Sequence, residues 1–317
     1  MKRFTLRHWL ISLATLLLAL PLVACSDDDD DDLDEFSVQL VGENEVPPIA
    51  SIGDGEMDIT YDEDSRDLTI DGSFDNLVAD ALNIGDSPAH LHLATADATG
   101  PVIYDLTVDL DEDRRGGTFE FERTLSTDEA QAFEDLEWYV NIHSQAYPDG
   151  ELRGQLDPDA PTYEDVDEGW GVLFDTAALP ELVDTTAGGW AWIVIRDDNS
   201  AVISGSIEDL SSEPTEVFGS AVNLETGELG ETGELVANLN YEVADDGHLR
   251  FWYQTTFEDD EIDAMRDGDY FLTVYTQDFD QGELRAQIPE DDDTFFEDIW
   301  ESFFGEDDDP IEQAPPF

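Results

Sequence analysis

The hexapeptide GELRGQ at residues 150–155 recurs as GELRAQ at residues 282–287, and this repeat is the key to the architecture of the chain. The similarity extends without a gap from residues 119–156 onto residues 251–288. Self-similarity over such a length is typical of tandem domains. The repeat divides the body of the chain into three segments: a first copy at residues 36–156, an acidic, proline-containing linker at 157–169 and a second copy at 170–288.

Most segments of the two copies have the pattern of β-strands. Hydrophobic and polar residues alternate in Met57–Tyr61 and again in Asp67–Asp71, and the charged turn between them indicates a hairpin. Trp190–Ile195 is continuously apolar, which favours a more buried strand. One short helix per copy is expected, because Ser126–Glu129 has capping-box form and Asp260–Arg266 is its counterpart. Short strands at regular spacing predict an all-β protein of two tandem antiparallel sandwich or barrel domains.

The N-terminus has the features of an export and anchoring signal. Residues 1–24 combine a basic start with an apolar stretch, which is shorter than the about 20 residues of a transmembrane helix. They end in Leu22-Val23-Ala24 before Cys25, the single cysteine of the chain, and this tetrapeptide resembles a bacterial lipobox. We predict that Cys25 is lipidated and that residues 25–35 form an acidic tether. Ser26 after the cysteine implies, in lipoproteins, an exported protein anchored to the outer membrane of the cell envelope.

The charge of the chain limits its partners and suggests its environment. There are 80 acidic residues against 12 lysines and arginines, a formal charge of −68. Without residues 1–24 there remain nine arginines and no lysine, and the charge becomes −71. Such a polyanion does not neutralise phosphates, so we exclude nucleic acid as a partner. Self-repulsion of this size needs screening by salt, which favours a halophilic protein over an ordinary one with a solvated acidic face.

One acidic cluster has part of the pattern of a calcium loop. Its members at positions 1, 3, 5 and 12 are Asp109, Asp111, Asp113 and Glu120. Position 6, which requires glycine for a sharp turn, is Arg114. We therefore expect an acidic hairpin tip and, at most, non-specific calcium binding.

Residues 289–317 form an acidic tail that contains one apolar pattern. Phe296, Ile299, Trp300 and Phe303 recur at the spacing of one helix face. This spacing predicts a short amphipathic helix that docks on its own domain. The alternative is that the helix contacts a partner or the membrane.

Four further motifs accompany the repeated hexapeptide in the first copy. They are LVGENEVPP at residues 40–48, AHLH at 89–92, GPV at 100–102 and YVNIH at 139–143. Their order and spacing resemble the CHRD domain, a module named after chordin and also found in exported bacterial proteins. The second copy keeps the hexapeptide but lacks the histidines, so it resembles a diverged CHRD domain. The resemblance implies an immunoglobulin-like β-barrel in each copy, and chordin itself is a secreted protein that binds growth factors.

The histidines of the first copy are the candidate metal ligands. His90 and His92 are two residues apart on one predicted strand and share a face. His143 follows a second strand, and the three imidazoles meet if the two strands are neighbours. A His-x-His pair with a distant histidine suits Zn or Cu. The alternative is structural, in which the imidazoles hydrogen-bond to the backbone and to one another beside Glu151 and Arg153.

The remaining candidate residues belong to the motifs. They are Glu45, Pro47, Pro48, Asn141, Gly150, Glu151, Arg153, Gln155, Glu283, Arg285 and Gln287. We expect Arg153 to pair with Glu151, and Arg285 with Glu283, in bidentate geometry. The alternative is that Arg153 holds the carboxylate of a ligand.

Two classes of function remain open. No nucleophile–base spacing, G-x-S-x-G motif or phosphate loop is present in the sequence. This favours a non-enzymatic binding or structural module, anchored through lipid and facing a protein or another extracellular ligand. The alternative is a Zn or Cu protein or metalloenzyme that uses His90, His92 and His143.

Overall fold

The structure is a computed structural model that describes residues 33–227, 230–244 and 247–290. Residues 1–24, Cys25 and the predicted tail helix lie outside the described residues, so the signal sequence, the lipid anchor and the helix stay predictions. Within the described part of the chain, no helix is both long enough and apolar enough to cross a membrane.

The first copy is a single curled sheet with one helix. Its strands are β1 (Leu33–Val41), β2 (Asp54–Asp62), β3 (Asp67–Asp75), β4 (Ala89–Leu93), β5 (Val102–Asp105), β6 (Thr107–Leu110), β7 (Gly117–Thr124), β8 (Trp138–Ile142) and β9 (Leu152–Gln155). They lie side by side in the order β5-β4-β8-β9-β1-β2-β3-β7-β6. Only the buried Leu106 separates β5 from β6 along the chain. Since β5 and β6 are the first and last strands of this order, the two edges of the sheet must lie next to each other. The sheet therefore closes around its core.

Alternation along the strands builds that core, as the sequence predicts. Met57, Ile59 and Tyr61 of β2 are buried while their neighbours face outwards. Ile59 lies opposite the buried Ile70 of β3, which confirms the predicted hairpin. The helix α1 (Thr127–Glu134) begins after Ser126, whose side chain accepts a hydrogen bond from the Glu129 backbone in a complete capping box.

The second copy repeats this topology. Its strands are β10 (Val166–Phe174), β11 (Gly188–Arg196), β12 (Ser200–Glu208), β13 (Val222–Thr226), β14 (Glu234–Asn238), β15 (Asn240–Val243), β16 (Leu249–Thr256), β17 (Tyr270–Val274) and β18 (Leu284–Gln287). They form two sheets, β10-β11-β12-β16-β15 and β14-β13-β17-β18. The buried Leu239 turns the chain between β14 and β15, as Leu106 does in the first copy. With the helix α2 (Asp259–Arg266), the prediction of two all-β sandwich or barrel domains with one short helix each is confirmed.

Two predicted boundaries and one predicted strand need correction. Residues 33–35 belong to β1 rather than to the tether, because Leu33 already pairs with Asp62 of β2. Residues 166–169 belong to β10 rather than to the linker, because Glu168 and Gly169 pair with β11. Hydrophobic and polar residues also alternate over Tyr104–Leu110, which predicts one strand. The structure breaks this stretch at Leu106, because its first part pairs with β4 and its second part with β7.

The two copies are joined by a shared apolar cluster and a buried ion pair. The cluster comprises Ala50, Val78, Ala79, Ala146 and Tyr147 of the first copy and Trp192, Val194 and Val202 of the second. Beside it, Arg196 donates hydrogen bonds of 2.7 and 2.8 Å to the two carboxylate oxygens of Glu43. The backbone N–H of Ala50 donates to the Ser204 hydroxyl at 2.8 Å. These contacts fix the walls of a cavity between the copies.

Candidate metal centre and adjoining pocket

The three histidines of the first copy lie together in the interior. His90 and His92 alternate on β4 and so share a face, and β4 pairs with β8 in a register that puts His90 opposite Asn141. His143 directly follows β8. One ring nitrogen of each histidine lies within 4.8 Å of the others, and all three residues are buried. No other cluster of three such ligand groups occurs in the part of the chain that the structure describes.

Each imidazole is held by its outer nitrogen. His90 Nε2 lies 2.9 Å from the carbonyl oxygen of Ile84, His92 Nδ1 2.9 Å from that of Gly100, and His143 Nδ1 2.9 Å from that of Pro148. Because a carbonyl only accepts, these outer nitrogens carry the protons in the neutral rings. The three remaining nitrogens then present lone pairs, and none of them has a hydrogen-bond partner.

The interior keeps these imidazoles uncharged. Burial lowers the pKa of His90 and of His92 below the ordinary value. Burial, reinforced by the neighbouring His90, lowers the pKa of His143 to about 3. All three rings are therefore neutral at neutral pH, which is the form that binds metal.

The repeated hexapeptide surrounds the cluster, but the predicted ion pair within it is wrong. Arg153 lies 3.6 Å above the ring of Tyr139, which in turn stacks on His92 at 4.8 Å. Its guanidinium donates to the carbonyl of Thr95 at 3.0 Å. Glu151 instead accepts hydrogen bonds of 2.7 Å from the Ser51 hydroxyl and the Val78 backbone. Glu151 precedes β9 and turns towards the loops, whereas Arg153 is held within the sheet.

The same correction applies to the second copy. Glu283 accepts hydrogen bonds from Ser211 and Thr185 rather than from Arg285. Arg285 lies 3.5 Å above the Phe271 ring and donates to the Glu231 carbonyl at 2.7 Å. The glutamine that ends each hexapeptide donates hydrogen bonds from its side-chain amide to backbone carbonyl oxygens. Gln155 donates to Ala94 and Leu136, and Gln287 donates to Gly268 and Tyr270. The hexapeptide thus ties loops to strand ends in both copies.

In the second copy, side chains that hydrogen-bond to the backbone and to one another stand in place of the histidines, although Asn223 Oδ1 has no partner. The strand registers place Asn223, Glu225 and Tyr275 at the positions of His90, His92 and His143. Asn223 Nδ2 donates to the Val217 carbonyl at 2.8 Å, as His90 does to Ile84. The Tyr275 hydroxyl donates directly to Glu225. Asn223 and Glu225 were missed by sequence reasoning, although aligning VNLET at 222–226 with AHLHL at 89–93 identifies them.

A pocket of about 380 Å³ adjoins the cluster on the side of His92. Pro47, Pro48 and Gly150 line it together with Glu45 and Asn141. Burial raises the pKa of Glu45 to about 8, so its carboxyl is mostly protonated at neutral pH. The opposite wall comes from the second copy, through residues that no sequence motif had indicated.

A family comparison agrees with the resemblance in the motifs. A family model for the CHRD domain matches residues 36–156 and 173–288. The chain therefore belongs to the CHRD domain family and contains two tandem CHRD domains. No curated protein matches the chain. Membership of this family supports a binding or structural module.

Proposed function

We propose that the first CHRD domain binds one transition-metal ion, Zn or Cu, through His90, His92 and His143, and that lipid on Cys25 holds the protein at the cell envelope. The observation that carries the metal proposal is the set of three buried imidazoles, each with one ring nitrogen within 4.8 Å of the others and one ring nitrogen without a hydrogen-bond partner.

The hydrogen bonds of the rings favour metal binding over a purely structural role. A structural network would use both nitrogens of each ring, but here the backbone uses only the outer ones. Each buried polar atom without a partner costs about 1–3 kcal/mol, and a cation satisfies all three lone pairs at once. Backbone carbonyls on the opposite nitrogens are the usual orienting partners of metal-binding histidines.

The separation of the nitrogens also suits such an ion. Metal–nitrogen distances of about 2.0–2.1 Å place tetrahedral ligands roughly 3.4 Å apart, so nitrogens that lie within 4.8 Å of one another need to approach by at most about 1.4 Å. Three imidazoles leave a fourth position open, as in catalytic and carrier sites. Beside the cluster, the ring of Tyr139 stacks on that of His92 at 4.8 Å and so helps to orient it.

Metal analysis tests the proposal directly. Protein spanning residues 26–317, purified without chelator and incubated with Zn²⁺ or Cu²⁺, is expected to retain one ion per chain after dialysis, measured by mass spectrometry of the elements. His143→Ala should lose the ion. His248→Ala, which changes a histidine of the second copy, should keep it. Protein that stays metal-free, and whose thermal stability is indifferent to both ions, contradicts the proposal.

The anchor is tested separately. The lipobox residues before Cys25 and the serine after it support lipidation. Cells that express the full chain and are grown with labelled palmitate should yield a labelled, membrane-associated protein, and Cys25→Ser should abolish both. A Cys25→Ser protein that fractionates with membranes as the unchanged chain does would contradict anchoring through this residue.

A further inference from the structure

A pocket lies between the two copies, next to the histidine cluster, and has the features of a ligand-binding site. Its volume of about 380 Å³ falls at the lower end of the roughly 300–1,000 Å³ typical of small-molecule sites. Glu45 and Asn141 of the first copy line one wall, and Trp190 and Trp252 of the second copy line the other. Neither copy forms this pocket alone.

The first-copy wall presents polar atoms that have no partner within the protein. Glu45 Oε1 and Asn141 Oδ1 are both in this state, and their side chains are more than nine-tenths buried. Gly150 leaves them room, since a Cβ at this position would lie 2.6 Å from Glu45 Oε1 and 2.3 Å from Asn141 Oδ1. Buried polar groups in native proteins nearly always find a hydrogen-bond partner, and an occupant of the pocket supplies one when either side chain turns towards it.

Several aromatic residues line the pocket. Trp190 and Trp252 are only half-buried, and Tyr139, Tyr147 and Phe251 also belong to the lining. Such rings offer flat apolar faces against which the face of a ligand ring packs. The pocket thus joins flat apolar walls to a polar floor.

The charges around the pocket disfavour an anionic ligand. Arg250 lies 3.4 Å from Asp149 and forms an ion pair with it across the pocket, so these two charges balance. The carboxylate of Glu242 repels anions. The carboxyl of Glu45, mostly protonated at neutral pH, offers a donor rather than a negative charge for a cation.

We propose that the pocket between the two CHRD domains binds a neutral saccharide, with a sugar ring against Trp190 and Trp252 and its hydroxyls hydrogen-bonded to Glu45 and Asn141. Hydroxyl groups both donate and accept, as this floor requires. The proposal concerns the pocket alone and does not depend on metal in the histidine cluster.

Calorimetric titration tests the proposal on protein spanning residues 26–317, which contains every residue that the structure describes. The probes are glucose, galactose, N-acetylglucosamine and cellobiose, with choline and citrate as charged comparisons. At least one sugar is expected to bind and to change the tryptophan fluorescence. Trp252→Ala and Glu45→Ala should each weaken that binding by about tenfold or more. Phe218→Ala, at an exposed residue outside the pocket lining, should leave it unchanged.

The outcomes are distinct. Two variants are used so that a folding failure of one, checked by circular dichroism, does not decide the result. The proposal is overturned if none of the sugars binds at up to about 10 mM, or if choline or citrate binds instead. It is also overturned if a sugar binds equally well to every variant that folds.

Discussion

The buried ion pair between the two domains makes a quantitative prediction. Glu43 and Arg196 are joined by two hydrogen bonds of 2.7 and 2.8 Å, and their side chains are only 6% and 4% exposed. Glu43→Gln leaves the Arg196 guanidinium buried without its counter-charge. Breaking one partner of such a pair costs about 3–5 kcal/mol of unfolding free energy. With a urea m-value of about 3 kcal/mol per molar, the unfolding midpoint should fall by roughly 1–1.7 M.

The assay is urea unfolding at fixed salt, because guanidinium chloride would itself screen the acidic surface. The matched control is Arg123→Gln. Arg123 and Glu129 form an exposed pair at 3.5 Å, with side chains 44% and 26% exposed, which is worth at most about 1 kcal/mol. The joint change Glu43→Leu and Arg196→Met should recover most of the loss, because it removes both charges. If Glu43→Gln shifts the midpoint no further than Arg123→Gln does, the argument from burial is wrong.

Three further predictions follow from the two copies. Metal content should rise from one to two ions per chain on joint substitution of the second-copy residues Asn223→His, Glu225→His and Tyr275→His; an unchanged content contradicts the equivalence of the positions. The raised pKa of Glu45, about 8 against 4.5, contributes stability that is complete below pH 4.5 and lost as pH rises through 8. Between pH 5 and 9, the free energy of unfolding measured with urea should therefore fall by about 3–5 kcal/mol more in the unchanged protein than in Glu45→Gln. An equal pH response of the two proteins contradicts this. Gly150 has a φ of +136°, and a Cβ at this position would clash with the Asn141 side chain. Gly150→Ala should therefore lower the free energy of unfolding by at least about 1 kcal/mol. Gly188→Ala, whose Cβ would have no atom within 4 Å, should not lower it.

Much of the fold follows from local patterns in the sequence. The alternation in β2 and β3 and the capping box at Ser126 each act over a few residues, so reading them needs no knowledge of distant contacts. The break at Leu106 was missed because both halves of the stretch alternate equally well. Only the closure of the sheet assigns them to different neighbours.

The candidate metal site depends even more on contacts between distant parts of the chain. The meeting of the three histidines depended on one condition, that β4 and β8 are neighbours, which a repeat analysis does not supply. The Glu151–Arg153 pairing was a misjudgement of another kind. Two residues on one face of a strand suggest contact. The Glu151 carboxylate instead accepts hydrogen bonds from Ser51 and Val78, which lie in loops distant in the sequence. The second-copy wall of the pocket had no sequence signal at all.

Comparison of the two copies separates scaffold from chemistry. The hexapeptide is present in both, and in both its arginine stacks on an aromatic ring and donates to a backbone carbonyl. Because these bonds are the same with or without histidines nearby, they account for the motif as a structural element. The positions of His90, His92 and His143 differ, and the second copy needs a direct bond from Tyr275 to Glu225 to satisfy the same interior. All three imidazoles of the first copy leave a ring nitrogen without a partner, whereas in the second copy Tyr275 and Glu225 bond each other and only Asn223 Oδ1 of the three equivalent residues is left without one. The metal proposal therefore concerns the first copy alone, and the second copy contributes one wall of the pocket.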